Sequence, residues 1–230
     1  MIIKKILGAT EDEVRNKKFN IFLGISLGNK YFTKFRIKKY LEWALENTKD
    51  SVLVLIADEL HAVNSQVLKN YDKEKSIKLT IKAGADIANC VQKIVNSFPE
   101  DKRQLIRVIR WGEITQESGY KILRSKIYNE FKKNNDFKEY ILEIVKTHLG
   151  EHAPDEPLKI ESLARYVLDE LPLLLNGVRF EDRHYTLLPY PGLSKLDELV
   201  YGLHHKKMFP SLSEELGLIT KTVIVEAYVE

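Results

Sequence analysis

Asn20-Ile21-Phe22-Leu23-Gly24-Ile25-Ser26-Leu27-Gly28-Asn29 opens the segment whose reading decides the fold. Asn20 to Ile25 is a short, nearly all-apolar run, the pattern of a strand covered on both faces. After it, Lys30 to Glu46 carries Tyr31, Phe35, Leu41 and Leu45 with Lys34, Lys38 and Lys39 between them, which predicts an amphipathic helix with its charges outside. A turn at Asp50 and Ser51 leads into Val52 to Ala57 (VLVLIA), a second buried strand. Strand, helix and strand within about forty residues make a βαβ unit, expected to be parallel and right-handed.

Working outward, Ile77, Ile81, Ala85, Ala88, Val91 and Val95 recur at helical spacing, and Phe98-Pro99 ends that helix. Leu105 to Ile109 is a third strand. Helical patterns follow over Tyr120 to Phe131, Phe137 to His148 and Glu161 to Leu175, the last stopped by Asn176-Gly177. Thr222 to Val229 closes the chain as a strand. This alternation predicts an α/β fold with an open, doubly wound sheet, and no linker or repeat divides residues 1–230 into more than one domain. In such sheets ligands bind beyond the carboxyl ends of the strands, and the residues just after Ile25 lie at such an end.

Composition bounds the function. The 230 residues carry 36 Lys and Arg against 33 Asp and Glu, a net charge of +3, which neither demands nor excludes a nucleic-acid partner. One cysteine, Cys90, excludes an intramolecular disulfide and a cysteine-rich zinc site. No apolar run approaches the ~20 residues of a membrane helix. The first eighteen residues lack the apolar core and cleavage site of a secretory signal. The chain reads as soluble and cytoplasmic.

Gly24-Ile25-Ser26-Leu27-Gly28 is a G-x-S-x-G between a strand and a helix. Flanking glycines let the backbone turn and hold a nucleophilic hydroxyl clear of the sheet, with a helix N-terminus behind it for an oxyanion. The bland alternative is a glycine-bounded turn with Ser26 capping the helix. A serine hydrolase is also open, with Asp182 or Asp197 and His184, His204 or His205 completing a triad. Its nucleophile would, however, follow the first clear strand, earlier than in the α/β-hydrolase order. On the helix Glu161 to Leu175, Tyr166 and Glu170 are four apart and share a face. Facing a cleft they would hold an ammonium group and move protons; otherwise they are a surface acid and a half-buried phenol.

Taken together, these segments resemble the tRNA-dependent cyclodipeptide synthases. Gly24-Ile25-Ser26-Leu27-Gly28-Asn29-Lys30-Tyr31-Phe32 looks like their G-x-S-x-x-N-x-Y-F segment, and Tyr166-Val167-Leu168-Asp169-Glu170-Leu171-Pro172 like their Y-x-x-x-E-x-P helix. Tyr190 falls where the family has its third functional tyrosine. The resemblance runs from about Asn20 to the final strand and implies a Rossmann-like domain similar to tyrosyl- and tryptophanyl-tRNA synthetases. The ATP-handling signatures of those synthetases are missing here: no H-I-G-H follows the first strand, and Lys206-Lys207-Met208-Phe209-Pro210-Ser211 is not K-M-S-K-S.

The resemblance implies that two aminoacyl-tRNAs are the substrates, with no nucleotide, other cofactor or metal. Ser26 would take the first aminoacyl group as an ester, Tyr166 and Glu170 would bind its α-ammonium, and Tyr190 would position the intermediate or relay a proton at cyclisation. Gly24 would leave room for the acyl group, and Asn29 would hold the surrounding shell. Phe22, Leu173 and Leu188 are candidate lining residues of the aminoacyl pocket and suggest an apolar first amino acid. Two features depart from the family pattern. One branch has Asn at the Asn29 position with Gln after the third tyrosine, the other a variable residue with Tyr-Pro, whereas this chain combines Asn29 with Tyr190-Pro191. The helix after the second strand, arginine-rich in some members, carries lysines here.

Those lysines, Lys75, Lys78, Lys82 and Lys93, fall on one stripe opposite Ile77, Ile81 and Ala88. They would neutralise tRNA phosphates or simply be a solvated face. A second basic set is Lys121, Arg124, Lys126, Lys132 and Lys133. A non-catalytic, synthetase-like tRNA binder remains a third reading, and monomer and homodimer are both open. His148 and His152 are expected to be surface histidines, His204-His205-Lys206-Lys207 a solvated turn, and Cys90 and Trp43 packing residues. Asp58-Glu59, after the second strand, would cap the next helix or line the cleft.

Overall fold

The two apolar runs flanking the first helix do become neighbouring strands, and the sheet grows from them. The computed structural model describes residues 1–218 and 220–230. Its strands are β1 (Ile2–Leu7), β2 (Asn20–Ser26), β3 (Val52–Ala57), β4 (Ile106–Arg110), β5 (Val178–Phe180), β6 (Arg183–Tyr190) and β7 (Val223–Tyr228), in the spatial order β1-β7-β6-β2-β3-β4 with β5 on β6. The pairs β7–β6, β6–β2, β2–β3 and β3–β4 are parallel; β1–β7 and β5–β6 are antiparallel. The five parallel strands run in the order of a doubly wound sheet, and the chain reverses direction of growth between β2 and β6.

The helices are α1 (Glu11–Arg15), α2 (Lys34–Asn47), α3 (Ala62–Lys69), α4 (Lys73–Val95), α5 (Glu100–Arg103), α6 (Trp111–Ile114), α7 (Ser118–Lys133), α8 (Asn135–Leu149), α9 (Pro157–Asn176), α10 (Lys195–His204) and α11 (Pro210–Leu216). Local chemistry sets their starts. Thr33 and Asp72 accept from the backbone of Arg36 and Lys75 to cap α2 and α4, Asn134 accepts from Phe137 to cap α8, and Pro157 occupies the first turn of α9.

Two apolar cores lie on opposite faces of the sheet. Ile21, Leu23 and Ile25 of β2 pack with Tyr40, Leu41, Val91 and Val95 from α2 and α4. Phe22, on the other face, packs with Ile127, Ile141, Leu168, Leu171 and Leu199 from α7 to α10. The strict alternation along β2 therefore sends Phe22, Gly24 and Ser26 toward the α9 side.

The two ends of the sheet differ. At the amino ends, Asn20 Oδ1 accepts from the amides of Asp50 (2.9 Å) and Ser51 (3.1 Å), its Nδ2 donates to the His184 carbonyl (3.4 Å), and Ser51 Oγ bonds the Tyr185 hydroxyl (3.0 Å). At the carboxyl ends β2 follows β3 as far as Ser26 opposite Ala57, but its ladder with β6 consists of Asn20–Tyr185 and Ile21–Leu187. A bulge lies between those two pairs, and Pro189 further up β6 has no N–H to give. The paired register of β2 and β6 therefore ends below Ser26, at the switch point of the sheet.

Several expectations change. β1 precedes the strand taken as first; Lys4 and Lys5 interrupt its apolar pattern, and a bulge at Ile3/Lys5 breaks its register. The helix after β2 begins at Lys34, not Lys30, so Ser26 neither caps it nor has its N-terminus directly behind. On α4 the buried face is Ser76, Thr80, Gly84, Val91 and Val95, while Ile81 is exposed. Small residues bring this helix close: a Cβ on Gly84 would meet Asp58 Oδ2 at 2.3 Å.

Candidate active site

Ser26 is the last residue of β2 and keeps part of its surface accessible. The loop after it is fixed residue by residue. Gly28 has φ +79°, a left-handed conformation that glycine adopts without penalty. Asn29 Oδ1 accepts from the Tyr31 amide (3.0 Å), and its Nδ2 donates to the Tyr190 hydroxyl (3.1 Å). Phe32 packs edge-on against Tyr190, with centroids 5.7 Å apart. Tyr31 accepts from the Val229 amide (2.7 Å), anchoring the loop to the final strand. The motif residues around Ser26 thus tie the end of β2 to the ends of β6 and β7.

The opposite wall is α9. Its orientation is set from the far side by Asp169, which accepts from Arg124 Nε (2.6 Å) and the Tyr128 hydroxyl (2.8 Å), while Tyr120 donates to the Asp169 carbonyl (2.9 Å). Arg124 is therefore engaged in buttressing the helix. With Asp169 turned to α7, Tyr166 and Glu170 face the crevice.

The Ser26 hydroxyl lies near both the Tyr166 and Tyr190 phenols and lowers each pKa against a larger upward push from burial. Burial holds Tyr166 well above the usual phenol range, with the Glu170 charge adding to it; Tyr190 is raised chiefly by burial, then by Glu170. Glu170 is pushed up to about 7, first by desolvation and second by the Asp197 carboxylate. Asp197 is itself raised by burial, although it accepts from Ser194 at the start of α10. Tyr166 and Glu170 retain partial access to solvent while enclosed mostly by protein, the position of groups on the floor of a cleft. Negative charge at Glu170 is therefore held at a cost that an ammonium beside it would offset.

Gly24 sits two residues below Ser26 on the same face and is partly accessible; a Cβ there would touch only Leu188 Cδ1, at 3.9 Å. Phe22 and Leu188 are buried beneath it. Leu173 lines a separate small recess with Ile114, Tyr120, Asn176 and Val178. Lys75, Lys78, Lys82 and Lys93 are all exposed on the outer face of α4, and none is ion-paired among the described residues; Lys75 Nζ lies 3.9 Å from the Tyr71 ring centroid.

The histidines proposed for a triad are committed elsewhere. His184 bonds the Asn176 carbonyl, His204 the Leu175 carbonyl (2.7 Å) and His205 the Tyr201 carbonyl (2.8 Å). Asp182 is exposed and Asp197 serves a helix cap. The imidazole that reaches this site belongs to His61, which sequence reasoning missed. Its Nε2 is 3.2 Å from the Tyr166 hydroxyl, and the rings meet edge-on at 5.0 Å. Its position just beyond the carboxyl end of β3 was the available signal. Asp58, at that same end, is fully buried, caps Glu59 and accepts from Arg110 Nε (2.6 Å). His148 and His152 are exposed, as expected.

A family model described as cyclodipeptide synthase matches residues 6–211, which spans both site segments and Tyr190. The chain belongs to the cyclodipeptide synthase family. The cyclo(L-leucyl-L-leucyl) synthase of Staphylococcus haemolyticus (strain JCSC1435) is 25% identical over 230 residues, covering 92% of this chain and 94% of that one. The solved structure of a cyclodipeptide synthase from Staphylococcus haemolyticus has a TM-score of 0.72 at 20% identity, over 97% of this chain and 99% of the other. Another cyclodipeptide synthase, from Candidatus Glomeribacter gigasporarum bound to Phe-tRNAPhe, has a TM-score of 0.62 at 16% identity, over 91% and 88% of the two chains. The fold expectation therefore holds: a mostly parallel, Rossmann-like synthase sheet flanked by helices, with helices too short or too polar to cross a membrane among the described residues.

Proposed function

We propose that this synthase joins two aminoacyl groups, delivered by two aminoacyl-tRNAs, into a cyclic dipeptide through covalent intermediates on Ser26. The observation that carries this reading is the convergence of the Ser26, Tyr166 and Tyr190 hydroxyls beside Glu170 at the switch point of the sheet. Family membership and a relative bound to Phe-tRNAPhe support the substrate class.

In the first step Ser26 Oγ bonds to the ester carbonyl carbon of an aminoacyl-tRNA. The bond to the ribose oxygen breaks, and that oxygen leaves with the proton given up by Ser26. Glu170 and Tyr166 hold the α-ammonium of the new ester. Glu170, poised near neutrality, exchanges a proton with it, so that the free amine attacks the carbonyl of a second aminoacyl-tRNA. A peptide bond forms, and the second ribose oxygen departs protonated. The terminal amine of this dipeptidyl ester then attacks the carbonyl carbon on Ser26. Ring closure breaks the Ser26 ester, and the hydroxyl regains its proton, with Tyr190 positioned by Asn29 beside it. Phosphate contacts to tRNA would come from the exposed lysines of α4.

The open Gly24 above Phe22 and Leu188 favours an apolar first residue, in line with the leucine named in the curated relative. A pocket of this kind separates side chains differing by a methylene only about 10–200-fold, so several products are expected from one enzyme. Mass spectrometry of medium from a bacterial host expressing the chain tests the reading. New cyclic dipeptides should appear and vanish with Ser26→Ala, and intact-protein mass should record an aminoacyl adduct on wild type alone. Product that survives Ser26→Ala would refute the covalent route.

A further inference from the structure

We propose that His61 is a positioning residue for the reaction: its neutral ring accepts a hydrogen bond from the Tyr166 hydroxyl at Nε2 and thereby keeps the Tyr166 oxygen an acceptor toward Ser26 and the substrate ammonium. The inference rests on the role given above to Ser26.

Tyr166 has one hydroxyl proton and two lone pairs. Its oxygen lies near the Ser26 hydroxyl and 3.2 Å from His61 Nε2. Binding an ammonium requires a lone pair, and accepting a hydrogen bond from the Ser26 hydroxyl requires another. Both functions are lost if the phenol proton points into the cleft. Directing that proton to His61 leaves both lone pairs turned toward the chemistry. With Ser26 turned to Tyr166 for attack, the groups would form a chain, Ser26 O–H to Tyr166 O–H to His61 Nε2, in which the imidazole touches no reacting atom and acts through the phenol.

The chain works only with an uncharged ring protonated at Nδ1. A protonated His61 would donate to the phenol and repel the ammonium. Two features of the fold keep it neutral. Burial lowers its pKa to about 4, with His148 acting in the same direction and Asp58 opposing. Asp58, the acid that opposes this, is held by Arg110, the Glu59 amide and the Trp111 amide. The backbone fixes the ring as well: His61 N–H donates to the Asp58 carbonyl (3.0 Å), in the short helical turn Glu59–His61 that leads straight into α3, and α3 packs on α9. His61 is thus delivered to Tyr166 by a rigid element.

The test measures the rate of adduct formation on Ser26 by rapid-quench intact-protein mass spectrometry with leucyl-tRNA and phenylalanyl-tRNA. His61→Gln places an amide oxygen near the lost Nε2, whereas His61→Asn is polar but too short to reach the phenol. We expect His61→Asn to slow acylation about tenfold, the worth of one neutral hydrogen bond, and His61→Gln to recover most of it. In a Tyr166→Phe background, His61→Asn should cost nothing further, because the phenol through which it acts is gone. Thermal melts of each variant separate a folding defect from this effect, and the Gln/Asn contrast stands if either variant is partly destabilised. Equal losses in His61→Asn and His61→Gln, or a loss that adds fully to Tyr166→Phe, overturns the proposal while leaving the serine mechanism intact. Failure of wild type to form any adduct overturns both, and so is distinguishable.

Discussion

The Asn29 side chain donates to the Tyr190 hydroxyl across 3.1 Å, joining the loop after β2 to the end of β6 over 161 positions of sequence. This bond explains how the two halves of the mixed family signature coexist. Asn29 needs the tyrosine hydroxyl and the Tyr31 amide; it needs nothing of Pro191. Asn29→Ala removes both bonds, so stability should fall by about 1–2 kcal/mol in a denaturant titration. Cyclic product should drop about tenfold as Tyr190 loses its anchor, while Tyr190→Phe should make the Asn29 change nearly silent. Additive losses would show that the bond has no catalytic role.

Glu170 sets an acid limit on the reaction. Its pKa of about 7 lies above the ordinary carboxylate value of 4.5, so in the empty site it is protonated below neutrality and binds no ammonium. Single-turnover acylation should therefore fall as pH drops below about 7, and Glu170→Gln should be slow at every pH with that limb abolished. The stability sign is opposite to that of a salt-bridged acid. The folded state retains the proton more tightly than the unfolded chain, so stability is higher below pH 4.5 as far as this group is concerned and is lost as pH rises from there through 7. Glu170→Gln should remove that loss and leave the protein more stable than wild type at pH 8, by up to about 3 kcal/mol. Melting curves across pH check it.

Charge reversal at Lys75, Lys78 and Lys82 should weaken aminoacyl-tRNA binding without touching the fold, since all three are exposed. The dependence of log K on log salt should flatten by about one unit per lysine that meets a phosphate. KM for the charged tRNA should rise while the melting temperature stays put. An unchanged salt slope would move the tRNA surface elsewhere on the molecule.

Gly84→Ala tests how α4 is seated. The new methyl would overlap Asp58 Oδ2 and Cβ, at 2.3 and 2.4 Å. Neither the helix nor the buried carboxylate can give way without disturbing the Asp58–Arg110 pair. A cost of about 3 kcal/mol is expected, a fall of roughly 10 °C in melting temperature for a chain of this size. A wild-type melt would show that the helix shifts freely.

What could be read in advance follows the strength of the local signal. β2, β3 and the long helices announce themselves because full burial leaves an unbroken apolar run or a clear helical period. β6 escaped because its bulge breaks the alternation and Pro189 argues against a strand interior. β1 escaped because Lys4-Lys5 interrupts an edge strand of six residues. Ser26, Tyr166, Glu170 and Tyr190 were legible as motifs, whereas their meeting was a property of topology. His61 carries no motif at all. Its importance comes from a contact with Tyr166 across 105 positions, which no local pattern encodes.

The early end of the β2–β6 ladder also has a kinetic signature. In a parallel sheet, successive N–H groups of a strand point to alternate neighbours. Above Ile21, the register of β2 against β3 continues to Ser26, whereas its register against β6 ends at Ile21–Leu187. Deuterium uptake along this central strand should therefore be uneven, slow at Ile21 and fast at every second amide toward Ser26. The strand that in most such sheets is the last to exchange here holds a labile end, and occupation of the crevice by an aminoacyl group should slow that exchange from the serine downward.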